Sequence, residues 1–366
     1  MSTPFKVGII GCGNISNAYL KGAQVFPILQ VVGVADLDPA RAKAKADEFG
    51  VTAHTVESLL ADPSIELVVN LTVPKVHASV NKAILEAGKH AYTEKPFALD
   101  LAEGIEVIEL AKKKGLRVGC APDTFLGGGV QTARKIIDDG TIGEPVAAVA
   151  NMLGHGPESW HPDPEFFYQY GGGPMLDMGP YYLTALVNLL GPIRRATGSS
   201  RSSFAERTIG SGAKAGQKIK VEVPTHYAGA FDFVSGPIAN LNISFDVWGH
   251  QNPIIEVYGT KGTVRIPDPN TFGGIVEVKL EGEKEWTQIP LTHSDQVCRS
   301  IGLADMATAI RNNRPHRASG ELALHVLEAM LAVPIASEQG KHYTFQTTVP
   351  KPKALPVGLA LGELDA

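Results

Sequence analysis

The sequence has only three cysteines, Cys12, Cys120 and Cys298, in 366 residues. An odd number at wide spacing is no disulfide framework and matches no zinc pattern, so a reducing compartment is expected. The chain also lacks basic runs. Its formal charge is −5, which argues against nucleic acid or an anionic membrane as a main partner. No apolar run read from the sequence approaches the ~20 residues of a membrane span. The start, MSTPFKVGIIGCG, lacks a charged n-region and a cleavable apolar core. These absences point to a cytoplasmic protein. No repeat of solenoid length is present. No G-x-S-x-G or comparable nucleophile motif appears either, so acyl transfer and hydrolysis have no support.

Hydrophobic residues make up 44% of the chain and charged residues 19%, a globular balance. The length predicts two domains. Up to Pro122, apolar β-type runs alternate with helical spacing: FKVGII, LQVVGVAD, IELVVNLT, HAYTEKP and RVGCAP are separated by helices. That alternation predicts an α/β doubly wound parallel sheet over residues 1–123. From 124 to 350 the pattern changes. Strand-like runs follow one another between 219 and 290 without helices, from KIKVEV to GIVEVKL, and helices return at about 298–312 and 320–338. This predicts an α+β domain on a large, mostly antiparallel open sheet. The Pro-rich segment 351–366 reads as an extended arm.

Gly11-Cys12-Gly13-Asn14-Ile15-Ser16 lies between the first strand and the first helix. Gly11 permits the tight turn and Gly13 lets backbone approach a pyrophosphate. Asn14 and Ile15 open the helix, whose N-terminal N–H groups favour an anion. Ser16 stands where Gly or Ala is usual, a mild departure. Asp36 ends the second strand 20 residues beyond Ser16. Its carboxylate suits an adenosine ribose hydroxyl and repels a 2′-phosphate, so NAD is expected over NADP, softened by nearby Arg41 and Lys43. Thr72, Pro74 and His77, in TVPKVH, fall where such folds place the nicotinamide-side loops. Glu94-Lys95-Pro96 ends another strand. Its lysine points into the crevice at the carboxyl edge of the sheet.

The segments GIIGCGNIS, VVGVADLDPARA, TVPKVH, TEKPFALD, GTIGEP and GGGPMLDMGPYY, in this order, resemble the glucose–fructose oxidoreductase/inositol dehydrogenase/MocA (Gfo/Idh/MocA) family. The later EVYGTKGTVRI and RASGELALHVLEAML extend the resemblance over nearly the whole chain. The resemblance implies a Rossmann domain, a bound nicotinamide cofactor contacted also by Glu94 and Lys95, and oxidoreduction at a sugar or polyol carbinol. It also implies dimers or tetramers packed through the C-terminal sheet. By this analogy Lys95 binds the substrate hydroxyl and stabilises charge on the reacting oxygen.

A helix starting near Asp177, with Gly179-Pro180 in its first turn, places Asp177, Tyr181, Thr184 and Asn188 on one stripe at ~100° per residue. Leu183, Leu186, Val187 and Leu190 form the apolar stripe, and Tyr182 falls with Met178 and Leu189. Many family members carry His four residues after this Asp. Here Tyr181 stands in its place, as in the branch resembling glucose–fructose oxidoreductase and dimeric dihydrodiol dehydrogenase. Tyr181 is therefore expected to be the acid/base, tuned by the Lys95 ammonium. Asp177 bonds a substrate hydroxyl or holds Lys95, and Tyr182 packs. The competing reading is a capping Asp and a core Tyr.

Upstream, GHGPESWHPDPEFFYQYGGG crowds His155, Glu158, Trp160 and His161 into one loop. Trp160 and His161 suit sugar recognition, and Thr124 and Phe125 are placed as further cleft residues. No metal is expected, because the His and Glu spacing fits no ligand motif. Cys12 and Cys120 read as packing residues. Two alternatives stand beside the dissociable-NAD enzyme. One is an oxidoreductase whose NAD(P) stays bound and is recycled. The other is a non-catalytic nucleotide-sensing protein, which the presence of Lys95, Asp177 and Tyr181 disfavours.

Overall fold

The computed structural model describes residues 3–366. By internal contacts the chain forms two compact units. The first comprises 1–131, 292–324 and 352–366, and the second 132–291 and 325–351. This differs from divisions at 123/124 and 350/351. The late segment 292–324 returns to the first unit and bonds to its sheet edge. The Cys120 N–H donates to the Ala318 carbonyl, and Gly119 bridges Ser319.

The first unit builds a parallel sheet from β1 (Phe5–Ile10), β2 (Leu29–Ala35), β3 (Thr52–His54), β4 (Leu67–Asn70), β5 (His90–Thr93) and β6 (Val118–Cys120). Its order is β3-β2-β1-β4-β5-β6, a doubly wound arrangement that reverses between β1 and β4. The connecting helices are α1 (Ser16–Ala23), α2 (Pro39–Phe49), α3 (Val56–Ala61), α4 (His77–Glu86) and α5 (Leu101–Lys114). β4 reads LVVN, entirely buried, as a strand covered on both faces must be. Asp38 and Asp100 cap α2 and α5 by accepting backbone N–H groups, and Gly50 and Gly115 close the same helices in the left-handed conformation. The short β3 and α3 were not separated in the sequence reading.

The division into units falls within α6 (Gly128–Asp138) and again within α9 (Gly320–Gln339); α8 (Ile301–Arg311) belongs to the first unit. The second unit carries β7 (Pro145–Leu153), α7 (Gly173–Leu190), β8 (Ile193–Arg201), β9 (Glu206–Thr208), β10 (Lys218–Lys220), β11 (His226–Phe233), β12 (Ile238–Ser244), β13 (Ile255–Gly259), β14 (Gly262–Ile266), β15 (Val276–Leu280), β16 (Thr287–Ile289) and β17 (Tyr343–Thr344). Nine of these strands form one sheet, β16-β15-β14-β13-β7-β12-β11-β8-β17, antiparallel except where β7 meets β12. KIKVEV does not join it, since β10 pairs only with β9 in a separate hairpin. α7 packs on β7, β11 and β12, and Val333 of α9 sits against Gly198 and Gly229 of β8 and β11. The strands alternate accordingly: Phe231, Leu241 and Ile243 are buried, while Ala228 and Asn240 are exposed.

Among the described residues α9 is the one helix long and apolar enough to cross a membrane by length and composition alone. Two-thirds of its apolar window (67%) is buried inside the fold, as in a core helix.

Segment 352–366 is not a loose arm. Asp365 pairs with Arg317 at 2.8 Å, and Arg317 also donates to the Lys353 and Ala354 carbonyls. The buried Asp305 carboxylate holds Arg314 and Arg317 from the other side.

Candidate active site

In the first unit the sequence-selected residues gather at the carboxyl ends of β1, β2, β4 and β5. Gly11 follows β1 with φ +103°, and a Cβ there would meet the Leu71 carbonyl oxygen at 2.6 Å. Only glycine fits this turn. Gly13 is different: a Cβ on it would meet nothing within 4 Å, so open space lies over the loop where a phosphate-bearing ligand would approach. Gly13 and Asn14 are exposed and Ile15 is half-buried. Ser16 is buried and its hydroxyl donates to the Gly13 carbonyl at 2.6 Å, so the serine reinforces the turn. The loop therefore fits a dinucleotide on its own geometry.

Asp36 closes the loop. Its Oδ2 accepts the Cys12 N–H at 2.7 Å and its Oδ1 accepts the Asp38 N–H at 2.9 Å, leaving each oxygen a second lone pair. Burial, then the Asp36 charge, pushes the Cys12 thiol up to about 11, so it stays protonated. Arg41 pairs with Asp38 at 3.5 Å and Lys43 with Asp47 at 2.8 Å. Arg41 and Lys43 are thus engaged by other acids. Leu37 and Val73, which the sequence reading did not select, are 95% and 63% exposed beside these strand ends.

At the end of β4, Asn70 is fully buried. It accepts the Thr72 N–H and hydroxyl on Oδ1 and donates from Nδ2 to the His77 carbonyl and to Asn81. Pro74 starts the short turn Pro74–Val76. His77 does not present a ring nitrogen to a ligand. Its Nε2 lies 2.9 Å from the Thr72 carbonyl and its Nδ1 2.7 Å from the Pro96 carbonyl, and the ring is buried. Glu94 is likewise committed: it accepts the Tyr19 hydroxyl at 2.8 Å and the Lys95 N–H at 3.0 Å. Lys95 itself is half-buried just past β5. Thr124 and Phe125 are buried in the turn Thr124–Leu126.

In the second unit α7 begins at Gly173, four residues before Asp177, and runs unbroken to Leu190. Gly172 precedes the first turn and Pro174 sits inside it, a favoured proline position. Pro180 is therefore interior, where it removes one helical hydrogen bond. Asp177 is not a cap. Asp177 and Tyr181 are i and i+4 in a continuous helix, so they share a face. Tyr181 is 5% exposed and Tyr182 4%. Burial, then the Asp268 charge, raises the Tyr182 phenol well above its ordinary value. Asn188, farther along the Asp177 stripe, accepts from Arg134.

The 154–172 loop divides in two. Glu158 is buried and bound to Arg207 at 3.0 Å and to the Tyr168 hydroxyl, and Arg207 also pairs with Asp246 at 2.6 Å. Tyr168 packs with Ile209, Ile219 and Phe245 in a small core of its own. Glu158 and His155, which stacks on Trp248 at 3.3 Å, thus build the lobe that carries this loop. Trp160 remains 67% exposed, with His161 edge-on to it. Cys12 and Cys120 are buried.

Comparison with known proteins bears on the family and the fold. Residues 5–121 match the model described as an oxidoreductase family with an NAD-binding Rossmann fold, and 130–265 match the GFO/IDH/MocA C-terminal domain. The 1,5-anhydro-D-fructose reductase of Ensifer adhaerens is 26% identical over 348 residues, 93% of this chain and 98% of that protein. The inositol 2-dehydrogenase/D-chiro-inositol 3-dehydrogenase of Lactiplantibacillus plantarum is 37% identical over 152 residues, which is 38% of this chain and only 42% of that enzyme. The aldose–aldose oxidoreductase of Caulobacter crescentus, solved with glycerol, shares the fold at a TM-score of 0.77 and 21% identity, over 94% of this chain and all of that one (100%). A dinucleotide-type glycine turn at the head of a parallel sheet and a nine-stranded second sheet, each matched by its own family model, make this chain a member of the Gfo/Idh/MocA oxidoreductase family.

Proposed function

We propose that this protein transfers hydride between NAD and a carbinol or carbonyl carbon of a sugar, glycoside or polyol. The observation that carries the reading is the phase of α7, which sets a carboxylate and a phenol one turn apart on one face of an unbroken helix. A nicotinamide held at the site would supply or accept the hydride. In oxidation Tyr181 acts as phenolate, taking the carbinol proton and becoming the phenol; in reduction the phenol gives that proton to the oxygen and becomes the phenolate. Lys95 binds the reacting hydroxyl and stabilises the negative charge that develops there. Asp177 bonds a neighbouring hydroxyl or holds Lys95. Trp160 and His161 contribute to recognising the substrate, whereas Thr124, buried in its turn, is not placed to do so.

Gly11, Gly13, Asn14 and Ile15 hold the pyrophosphate end, with Thr72, Pro74 and the Glu94-Lys95 turn on the nicotinamide side. Leu37 and Val73 supply apolar walls for the adenine. Asp36 favours NAD over NADP, supported by the engagement of Arg41 and Lys43 with other acids. Three cysteines, odd in number and widely spaced, support a cytoplasmic setting. The sheet face away from α7, a depression of about 560 Å³ lined by Thr197, Ala228, Ala230, Asn240 and Asn242, is the surface through which homodimers or homotetramers pack.

The test is NAD⁺ and NADP⁺ reduction, followed at 340 nm, across monosaccharides, glycosides and inositols, beside the absorbance spectrum of the purified protein. Turnover with at least one sugar or polyol is expected, faster with NAD⁺. A panel without turnover, in either direction and with no nucleotide retained, sinks the reading.

A further inference from the structure

We propose that His77 is a positioning residue, a buried clamp that ties the loop after β4 to the Lys95-Pro96 turn after β5. The clamp rests on that functional reading for its importance, but its geometry lies wholly within the first unit. One imidazole reaches two loops. Nε2 faces the Thr72 carbonyl at 2.9 Å and Nδ1 faces the Pro96 carbonyl at 2.7 Å. The far side of the histidine is fixed too, because its own carbonyl accepts from Asn70, whose Oδ1 holds Thr72. Thr72, Asn70, His77 and Pro96 therefore form one closed network at the carboxyl edge of β4 and β5.

Carbonyl oxygens only accept. A neutral imidazole has one N–H, so it donates to one loop and turns a lone pair toward the other; the imidazolium donates to both. The charged groups facing His77 are Glu94, which favours the cation, and Lys95, which disfavours it. Burial is the largest influence and holds the histidine below its ordinary value, against the pull of the two carbonyls. The ring is thus neutral near pH 7, with its one N–H on Nδ1, the shorter contact, donating to the Pro96 carbonyl; because the His77 backbone is itself held by Asn70 of β4, that single bond joins the two loops. The second bond closes as the pH falls through the depressed value. Neither ring nitrogen is left for a ligand, so the residue acts through Thr72 and the Lys95 turn.

The experiment compares wild type with His77→Gln and His77→Phe. The Gln amide carries two N–H donors and does not titrate; Phe carries none. Amide hydrogen exchange over residues 71–77 and 93–99 is read at pH 7. Phe should speed exchange in both segments together, at least about fivefold, while Gln stays near wild type. With an active substrate in hand, Phe should lower kcat about 10- to 100-fold, the scale of misplacing a reacting group by about 1 Å. Gln should recover most of that rate. Exchange unchanged in both segments, or raised only within α4, overturns the clamp. Should Phe fail to fold, the long-range ¹⁵N spectrum of wild-type imidazoles decides. A His77 resonance with one N–H at pH 7, gaining a second below pH 6.5, supports the clamp, and an ordinary exposed titration at about 6.5 overturns it. The exchange and NMR readouts need no turnover, so they can fail while the hydride-transfer reading stands, or hold while it falls.

Discussion

The Cys12 N–H donates to Asp36 Oδ2 at 2.7 Å, so the glycine loop after β1 is tied to the carboxylate that ends β2. One acid therefore has two tasks: it shapes the loop and sets the charge beside it. Replacing Asp36 with Ala removes both. The expected outcome is a fall of at least about tenfold in kcat/KM for NAD⁺ with a relative gain for NADP⁺, since a buried-side acceptor and a repelling charge are lost together. Steady-state kinetics with both cofactors checks this. Unchanged cofactor preference would remove Asp36 from the site.

The two loop glycines should separate fold from ligand. Gly11→Ala forces a Cβ against the Leu71 carbonyl at 2.6 Å on a backbone at φ +103°. A loss of about 2 kcal/mol or more is expected, seen as a lower urea midpoint. Gly13→Ala meets no protein atom within 4 Å. It should leave the midpoint within about 0.5 kcal/mol of wild type while weakening NAD binding by calorimetry. Equal stability effects for the two variants would contradict the loop geometry.

His325 gives a pH dependence with a definite sign. It is fully buried in α9; Nε2 accepts the Ile193 N–H at 2.9 Å, so the proton sits on Nδ1, facing the Thr347 hydroxyl at 2.8 Å. Burial holds its pKa at about 4, against about 6.5 in an unfolded chain. Between those values the unfolded state binds the extra proton. The stability His325 contributes is complete above about pH 6.5, falls as the pH drops toward about 4, and changes no further below. The loss amounts to about 3 kcal/mol. Chemical denaturation at pH 7 and pH 4 should show His325→Gln, which keeps an acceptor and a donor without titrating, with a correspondingly smaller difference than wild type. An equal difference in both proteins would place the acid sensitivity elsewhere.

What was legible in the sequence was local. Gly11, Gly13 and Asp36 lie within one βαβ unit, so spacing sufficed to group them. The phase joining Asp177 to Tyr181 needs only a helix, and it holds although the helix starts at Gly173 and so carries Gly179-Pro180 in its interior and not in its first turn. What escaped depends on distant partners. Nothing in the loop sequence separates Glu158 from Trp160 and His161; its carboxylate is taken by Arg207, 49 residues on. β8, IRRATGSSR, carries three arginines and a glycine, and only its pairing with β11 and β17 makes it a strand. His77 was legible as a residue of the β4 loop, but its second carbonyl belongs to Pro96, 19 residues away.

The two adjacent tyrosines supply the sharpest test of the proposed chemistry. Both are buried to nearly the same degree, so burial cannot choose between them. Helical phase can: Tyr181 lies one turn from Asp177, whereas Tyr182 is rotated by about 100°, with its phenol pushed far from titration by burial and Asp268. Tyr181→Phe should keep NAD binding and lower kcat by about 10²–10⁴. Tyr182→Phe removes only a hydroxyl at a packing position and should leave kcat within about threefold, since loss of a packed hydroxyl acts on stability rather than on proton transfer. The pH–rate profile adds an independent reading. In the Tyr181 variant the limb belonging to the acid/base group should vanish, and in the Tyr182 variant it should persist. Near-wild-type turnover in Tyr181→Phe would end the assignment, and the reverse ranking would mean that the face of α7 bearing Tyr182 meets the substrate.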